Sequence, residues 1–210
     1  MDGLLIDTER KSRAAWQSAA TSIGKTLTNE LYLDMVGRTT PSCLQVLEEA
    51  FGCDLKNSGF HQKVEHHYYT SIFKEGIEVK TGVPSLLQEL RIREIPRAVA
   101  TSTNRQIALR KLRITELDTF FAVVCSGEDV ARSKPFPDVF LAAAEAIGVA
   151  PERCLVLEDS FAGVRAAHAA GMAPIMIPDL RQPDSEIEAL AFHIFPTMSA
   201  AADTIVELVT

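Results

Sequence analysis

From residue 79 onward, short apolar runs alternate with segments of helical periodicity, and this alternation constrains the fold more than anything else in the chain. Residues 98–100, 120–125, 154–157 and 173–177 are apolar runs of strand length, with a fifth short run at 191–195. Between them the spacing predicts helices over 83–93, 105–112, 138–147 and 161–170, and a weaker pattern over 184–190. Strands that lack polar alternation are buried on both faces. Helices of this length between them return the chain to start the next strand in the same direction. The reading is an α/β fold with a parallel sheet covered on both faces. Ligands in such sheets meet the carboxyl ends of the strands, so the residues just after each strand are the informative ones.

Residues 9–75 follow a different pattern and read as helical. Ala14, Ala15, Trp16, Ala19, Ala20 and Ile23 recur at helical spacing. Thr28 suits the cap of a second helix through Met35, and Pro41 the first turn of a third that ends at Gly52. A fourth is predicted over 56–74. The expected division is therefore a sheet domain from residues 1–8 and 79–210, and an inserted helical domain over 9–78.

Composition excludes several classes. At 47% hydrophobic and 23% charged residues, the chain reads as an ordinary soluble protein with enough apolar surface for a core. A net charge of −7 argues against nucleic acid as a partner, though not against a phosphorylated one. No apolar run approaches ~20 residues, so no membrane span is expected. Asp2 stands where a signal peptide would be basic. The four cysteines form no C-x-x-C pair and read as free thiols in a reducing cytoplasm. The five histidines lie away from the loops discussed next and read as surface or packing residues.

Each strand is followed by residues with two readings. Thr101-Ser102-Thr103-Asn104 is a helix cap, or a site where hydroxyls and amides meet an anion. Lys134, held among Pro135 and Pro137, is a solvated lysine or a point charge for a phosphate. Glu158-Asp159-Ser160 is a cap with a solvated acid, or a pair of hard oxygen ligands suited to Mg²⁺. Asp2 and Gly3 sit at the same edge, the glycine permitting a tight backbone departure.

Together, and in this order, the four loops resemble the haloacid dehalogenase superfamily, specifically its β-phosphoglucomutase-like phosphatases. The stretch Met1-Asp2-Gly3-Leu4-Leu5-Ile6-Asp7-Thr8-Glu9 is similar to the family's first motif, D-x-D-G-x-L-x-D-T/S-E. Thr101, Lys134 and Glu158-Asp159 resemble the second, third and fourth motifs. The resemblance implies a Rossmann-like core with an inserted helical cap domain. It implies a small phosphorylated substrate, Mg²⁺ as cofactor, and a cytoplasmic monomer. It implies that Asp2 is the acid/base and that its neighbourhood supplies a metal ligand. Asp159, with Glu158 directly or through water, would complete the metal site. Thr101, Ser102 and Lys134 would hold the phosphoryl group. Gly37, Arg38 and Thr39 would lie on the cap loop that selects substrate, where Arg38 reads equally as a fork onto substrate or as a rim salt bridge.

The sequence departs from the pattern at the nucleophile. The first aspartate of D-x-D falls one position before Met1, and the strand leading to it is also absent from these residues. One reading is a longer natural protein whose start was assigned to an internal methionine; the other is a catalytically silent phosphate-binding protein. Either way, no aspartyl-phosphate activity is expected of the 210 residues alone. Ser12 stands where the mutases carry a histidine, which favours hydrolysis over phosphosugar transfer. The paired acids speak against a metal-free dehalogenase.

Overall fold

The computed structural model describes residues 1–36 and 38–210; Gly37, one of the three expected substrate-loop residues, lies outside the described residues. The chain divides into two compact units, Met1–Asp7 with Glu78–Thr210, and Thr8–Ile77.

The second unit is helical: α1 (Glu9–Thr21), α2 (Asn29–Met35), α3 (Thr40–Phe51) and α4 (Phe60–Thr70), the last running into a π-helical turn, Ser71–Glu75. Helix α1 packs on α4, with the rings of Trp16 and Phe60 6.1 Å apart. Thr28 caps α2 by accepting from the Leu31 amide at 3.2 Å. The fourth helix starts four residues later than the apolar pattern predicts. The Glu48 carboxylate takes the Leu55 and Lys56 amides instead, and Gly59 enters α4 with φ at +73°. A loop whose donors are met by a side chain has no need of the helical ladder.

The other unit contains α5 (Val83–Ile92), β1 (Ala98–Thr101), α6 (Arg105–Ile114), β2 (Val123–Ser126), α7 (Asp138–Ile147), β3 (Leu155–Glu158), α8 (Phe161–Ala169), β4 (Ala173–Met176), α9 (Ser185–Leu190), β5 (His193–Ile194) and α10 (Met198–Val209). All ladders between these strands are parallel. Phe120, expected to open the second strand, instead ends a 3₁₀ turn over Asp118–Phe120. There the Arg97 guanidinium takes the Phe120 carbonyl at 3.0 Å. Helix α10, which the sequence reading passed over, is capped by Thr197 and packs against α5.

The strands form two sheets, β1-β2 and β3-β4-β5. Helix α7 bridges them: Val139, Phe140 and Ala144 share one buried cluster with Cys125 of β2 and Val156 of β3. Between β1 and β3 lies a cavity of about 710 Å³, lined in part by apolar side chains of α5, α7 and α10. Residues 1–6 fold into tight turns, the Leu5 amide donating to the Met1 carbonyl at 2.8 Å. The fully buried Ile6 then bridges to Val79. No helix among the described residues is long and apolar enough to cross a membrane.

Candidate active site

The turn at Asp2 and the carboxyl ends of β3 and β4 hold acids that pair with lysines from α6, from the loop after β2 and from just before α5. Asp2 is clamped from two sides. Lys111 of α6 reaches its Oδ1 at 2.6 Å, and the Thr103 hydroxyl donates to Oδ2 at 2.8 Å. Burial pushes the Asp2 carboxyl toward a higher pKa. The Lys111 charge, the N-terminal ammonium and the two hydrogen bonds outweigh it, so Asp2 titrates below the ordinary carboxylate range. Lys111 is itself 2% exposed, on a helix face otherwise buried through Ala108 and Leu112. The sequence reading missed it. A lysine on an apolar face is the available signal, since a buried ammonium requires a carboxylate partner.

Glu158 ends β3 at 4% exposure. Lys134 holds its Oε1 at 2.5 Å, and the Ser160 hydroxyl donates to Oε2 at 2.8 Å. Here too burial pushes the pKa up. The Lys134 charge, the N-terminal ammonium and hydrogen bonds from Lys134 and Ser160 bring it below the usual value. Lys134 also donates to the Ala100 carbonyl at 3.2 Å and lies over the Phe140 ring at 4.6 Å. The Lys134 ammonium is thus held by protein groups rather than solvated.

The caps are equally specific. Asn104 caps α6, its side chain accepting from the Gln106 and Ile107 amides, which leaves the hydroxyls of Thr101, Ser102 and Thr103 outside that duty. Thr101 is buried and accepts from the Thr103 amide at 3.1 Å, while Ser102 is exposed. Ser160 caps α8 through the Gly163 amide, so neither Glu158 nor Asp159 serves as its cap.

Asp159 lies over Gly3. A Cβ on Gly3 would collide with Asp159 Oδ2 and come within 3.2 Å of Asp179 Oδ2. Asp179 follows β4 and pairs with Lys80 at 2.5 Å through Oδ1. Its Oδ2 is buried without a hydrogen-bond partner among the described residues. Asp179 was not singled out from sequence, although it obeys the rule that drew attention to Glu158-Asp159, an acid directly after a strand. In the helical unit, Arg38 is exposed and donates to the Asp34 carbonyl at 2.6 Å, and Thr39 precedes α3 without capping it.

These pKa directions set an acid limit on stability. Both folded carboxyls titrate below their unfolded values of about 3.9 and 4.3, so the ionised forms favour the folded state. That contribution is fully present above the unfolded values and is lost as pH falls through the folded ones. Denaturant melts in chelator between pH 7 and pH 2 are expected to be flat to about pH 4.5 and to fall below it. Stability that holds constant to pH 2 would contradict this.

The family model for haloacid dehalogenase-like hydrolases matches residues 1–177. A phosphorylated carbohydrates phosphatase of Thermotoga maritima is 35% identical over 175 residues, covering 83% of this chain and 81% of its own. A (DL)-glycerol-3-phosphatase of Arabidopsis thaliana is 33% identical over 187 residues, covering 86% and 78%. Among solved structures, a HAD family hydrolase of Deinococcus radiodurans with bound phosphate and sodium superposes with a TM-score of 0.84. It is 26% identical and covers 100% of this chain and 95% of its own. The sheet with its acids and lysines at the carboxyl edge, and a family match over most of the length, identify this chain as a member of the haloacid dehalogenase-like hydrolases.

Proposed function

We propose that the chain carries the site of a Mg²⁺-dependent phosphatase acting on small phosphomonoesters of the sugar-phosphate kind. The observation that carries this reading is the convergence of Asp2, Thr101, Lys134 and Asp159 on the carboxyl ends of β1 and β3. The named relatives, which hydrolyse phosphorylated carbohydrates and glycerol 3-phosphate, support the substrate class.

Asp159 and Asp179 are the residues suited to hold the metal. Two carboxylate oxygens come together at Gly3, one of them buried and unpartnered. Mg²⁺ characteristically takes one or two carboxylates and keeps its remaining positions for water and substrate. Asp2 and Glu158 face lysines in this arrangement, so their side chains contribute to a metal only through water or after those lysines move. When bound, the ion would neutralise charge on the phosphoryl oxygens. Lys134 and the Thr101 hydroxyl would hold the other oxygens of that group and offset charge in the transition state. Asp2, an anion at neutral pH here, is in the form that takes a proton from water, the second half of the two-step reaction. The first half requires an aspartate one position before Met1, and that residue would carry the phosphoryl group. The cap loop at Gly37, Arg38 and Thr39 would choose among substrates.

Two measurements test this. The 210-residue chain and a version preceded by an apolar strand ending in aspartate are compared on a panel of sugar phosphates with Mg²⁺. The extended protein is expected to be faster by about 10³-fold or more, and changing its added aspartate to asparagine to abolish the gain. Turnover by the 210-residue chain at the extended protein's rate would refute the assignment. Separately, Mg²⁺ at about 100 times its dissociation constant is expected to stabilise the fold by ~2.7 kcal/mol. For a domain of this size that raises Tm by about 5–10 °C. Asp159→Asn should remove the rise, and an unchanged Mg²⁺ shift in that variant would place the metal elsewhere.

A further inference from the structure

We infer that Lys80 is a positioning residue of the metal site: it holds the Asp179 carboxylate by Oδ1, so that Oδ2 is turned toward Asp159 and the space above Gly3. The inference rests on the reading that Asp159 and Asp179 hold Mg²⁺, and adds the group that aims one of the two.

Three observations carry it. The first is that the two oxygens of Asp179 are treated differently. Oδ1 takes the Lys80 ammonium at 2.5 Å. Oδ2 is buried and has no hydrogen-bond partner among the described residues. A buried carboxylate oxygen without a partner is costly, and buried polar atoms are as a rule satisfied. Holding the carboxylate by one oxygen fixes the direction of the other and leaves it open to a ligand.

The second is where the open oxygen lies. Asp179 Oδ2 and Asp159 Oδ2 are both within 3.2 Å of the place a Cβ on Gly3 would take. Any other residue at position 3 would fill that place and collide with Asp159. Two carboxylate oxygens directed at a space kept free of side chain suit a hard cation. Were the Asp179 carboxylate to rotate away, Asp159 would face that space alone.

The third is how Lys80 is itself held. Its amide donates to the Leu5 carbonyl at 2.9 Å, in the same set of turns as Gly3. Its carbonyl accepts from the Val83 amide at 3.1 Å, where α5 begins. The backbone of Lys80 is thus fixed on the turns that carry Gly3, while its ammonium reaches the loop after β4. Lys80 also lines a cavity of about 210 Å³ with Gly3, Thr81 and Thr197. The side chain is therefore not wedged against Asp179 by packing, and the attraction of the two charges sets the pairing. A flexible stem with a compact charge is suited to this task.

The test titrates Mg²⁺ calorimetrically into the metal-free 210-residue chain and its variants, with inorganic phosphate as a second probe and Tm in chelator as a check on folding. Residues that orient a metal ligand typically contribute about 10-fold or more to affinity, and Lys80→Met is expected to raise the Mg²⁺ Kd by that factor. Lys80→Arg, which keeps the charge, should restore most of the loss. Asp179→Asn should weaken Mg²⁺ binding too. Adding Lys80→Met to it should change nothing further, because a residue that acts through Asp179 has no effect once that carboxylate is gone. Lys80→Gln, which also lacks the charge, gives the same comparison should the methionine variant not fold. An unchanged or tighter Mg²⁺ Kd in Lys80→Met, with Asp179→Asn weakened, overturns the inference and leaves the metal reading standing. A lower Tm in chelator with the Kd unmoved does the same, making Lys80 a structural residue only. So does a loss of phosphate binding alone, which would make it a ligand of the phosphoryl group, or a full additional loss in the double variant. Mg²⁺ binding that neither Asp159→Asn nor Asp179→Asn weakens would refute the metal reading itself, and the role of Lys80 with it.

Discussion

Lys134→Met is expected to destabilise the fold by about 3–5 kcal/mol, because removing one partner of a buried ion pair leaves the other charge uncompensated. For a domain of this size the fall in Tm is about 6–20 °C. The expectation rests on burial of both partners, 8% and 5% exposed in their side chains, and on their 2.5 Å contact. An exposed pair of similar length, such as Arg165 with Glu186 at 2.6 Å, should cost no more than ~1 kcal/mol to break. The mechanism makes two further demands. Adding Glu158→Gln to Lys134→Met should recover most of the loss, since it removes the stranded charge. The deficit of the single variant should also shrink in acid, where the buried carboxyl left without its lysine takes up a proton and no stranded charge remains. Denaturant midpoints of the single and double variants at pH 7 and pH 4 decide the matter. A double variant no more stable than Lys134→Met would mean that the lysine acts through its packing on Phe140.

The second large effect is steric. Gly82 precedes α5 with φ at +89°, and a Cβ there would stand 2.7 Å from the Ser199 backbone nitrogen and 2.9 Å from its Cα. Backbone in α10 cannot swing aside as a side chain would. Gly82→Ala therefore combines the left-handed penalty of about 1–2 kcal/mol with an overpacking cost of about 1–3 kcal/mol. The sum, about 2–5 kcal/mol, should appear in urea melts as a lower midpoint. Gly148→Ala separates the two parts: its φ is +69°, and nothing lies within 4 Å of the added carbon. It should show the conformational penalty alone. Equal losses at the two positions would remove the contact between α5 and α10 as the cause.

Local signals made much of this legible beforehand. Helix α7 runs over the residues its periodicity predicts, Asp138–Ile147, because Gly148 follows it in the left-handed conformation. The family motifs put Asp2, Thr101, Lys134, Glu158 and Asp159 on the table from residue order alone. What stayed hidden depends on distances between residues far apart in sequence. Lys111 is 109 positions from Asp2 and Asp179 is 99 from Lys80, and no periodicity links such pairs. The division of the strands into two sheets is likewise invisible to a reading that recognises strands one at a time. It concerns which edges meet, and apolar runs carry no record of their neighbours. Phe120 ends a 3₁₀ turn rather than opening a strand for the related reason that a guanidinium distant in sequence, that of Arg97, takes its carbonyl.

The backbone hydrogen bond from the Asp7 amide to the Glu78 carbonyl, 2.9 Å long, has a consequence for how this chain can diverge. It fastens the points where the chain leaves the sheet unit and returns to it. With the exits clamped, the entropy of closing the excursion grows only with the logarithm of its length, and doubling the length costs roughly 0.6 kcal/mol. The sheet unit is therefore nearly indifferent to what lies between Thr8 and Ile77. That stretch behaves as an exchangeable cassette, free to lengthen, shrink or be recomposed while the acids and lysines beside Gly3 stay where they are.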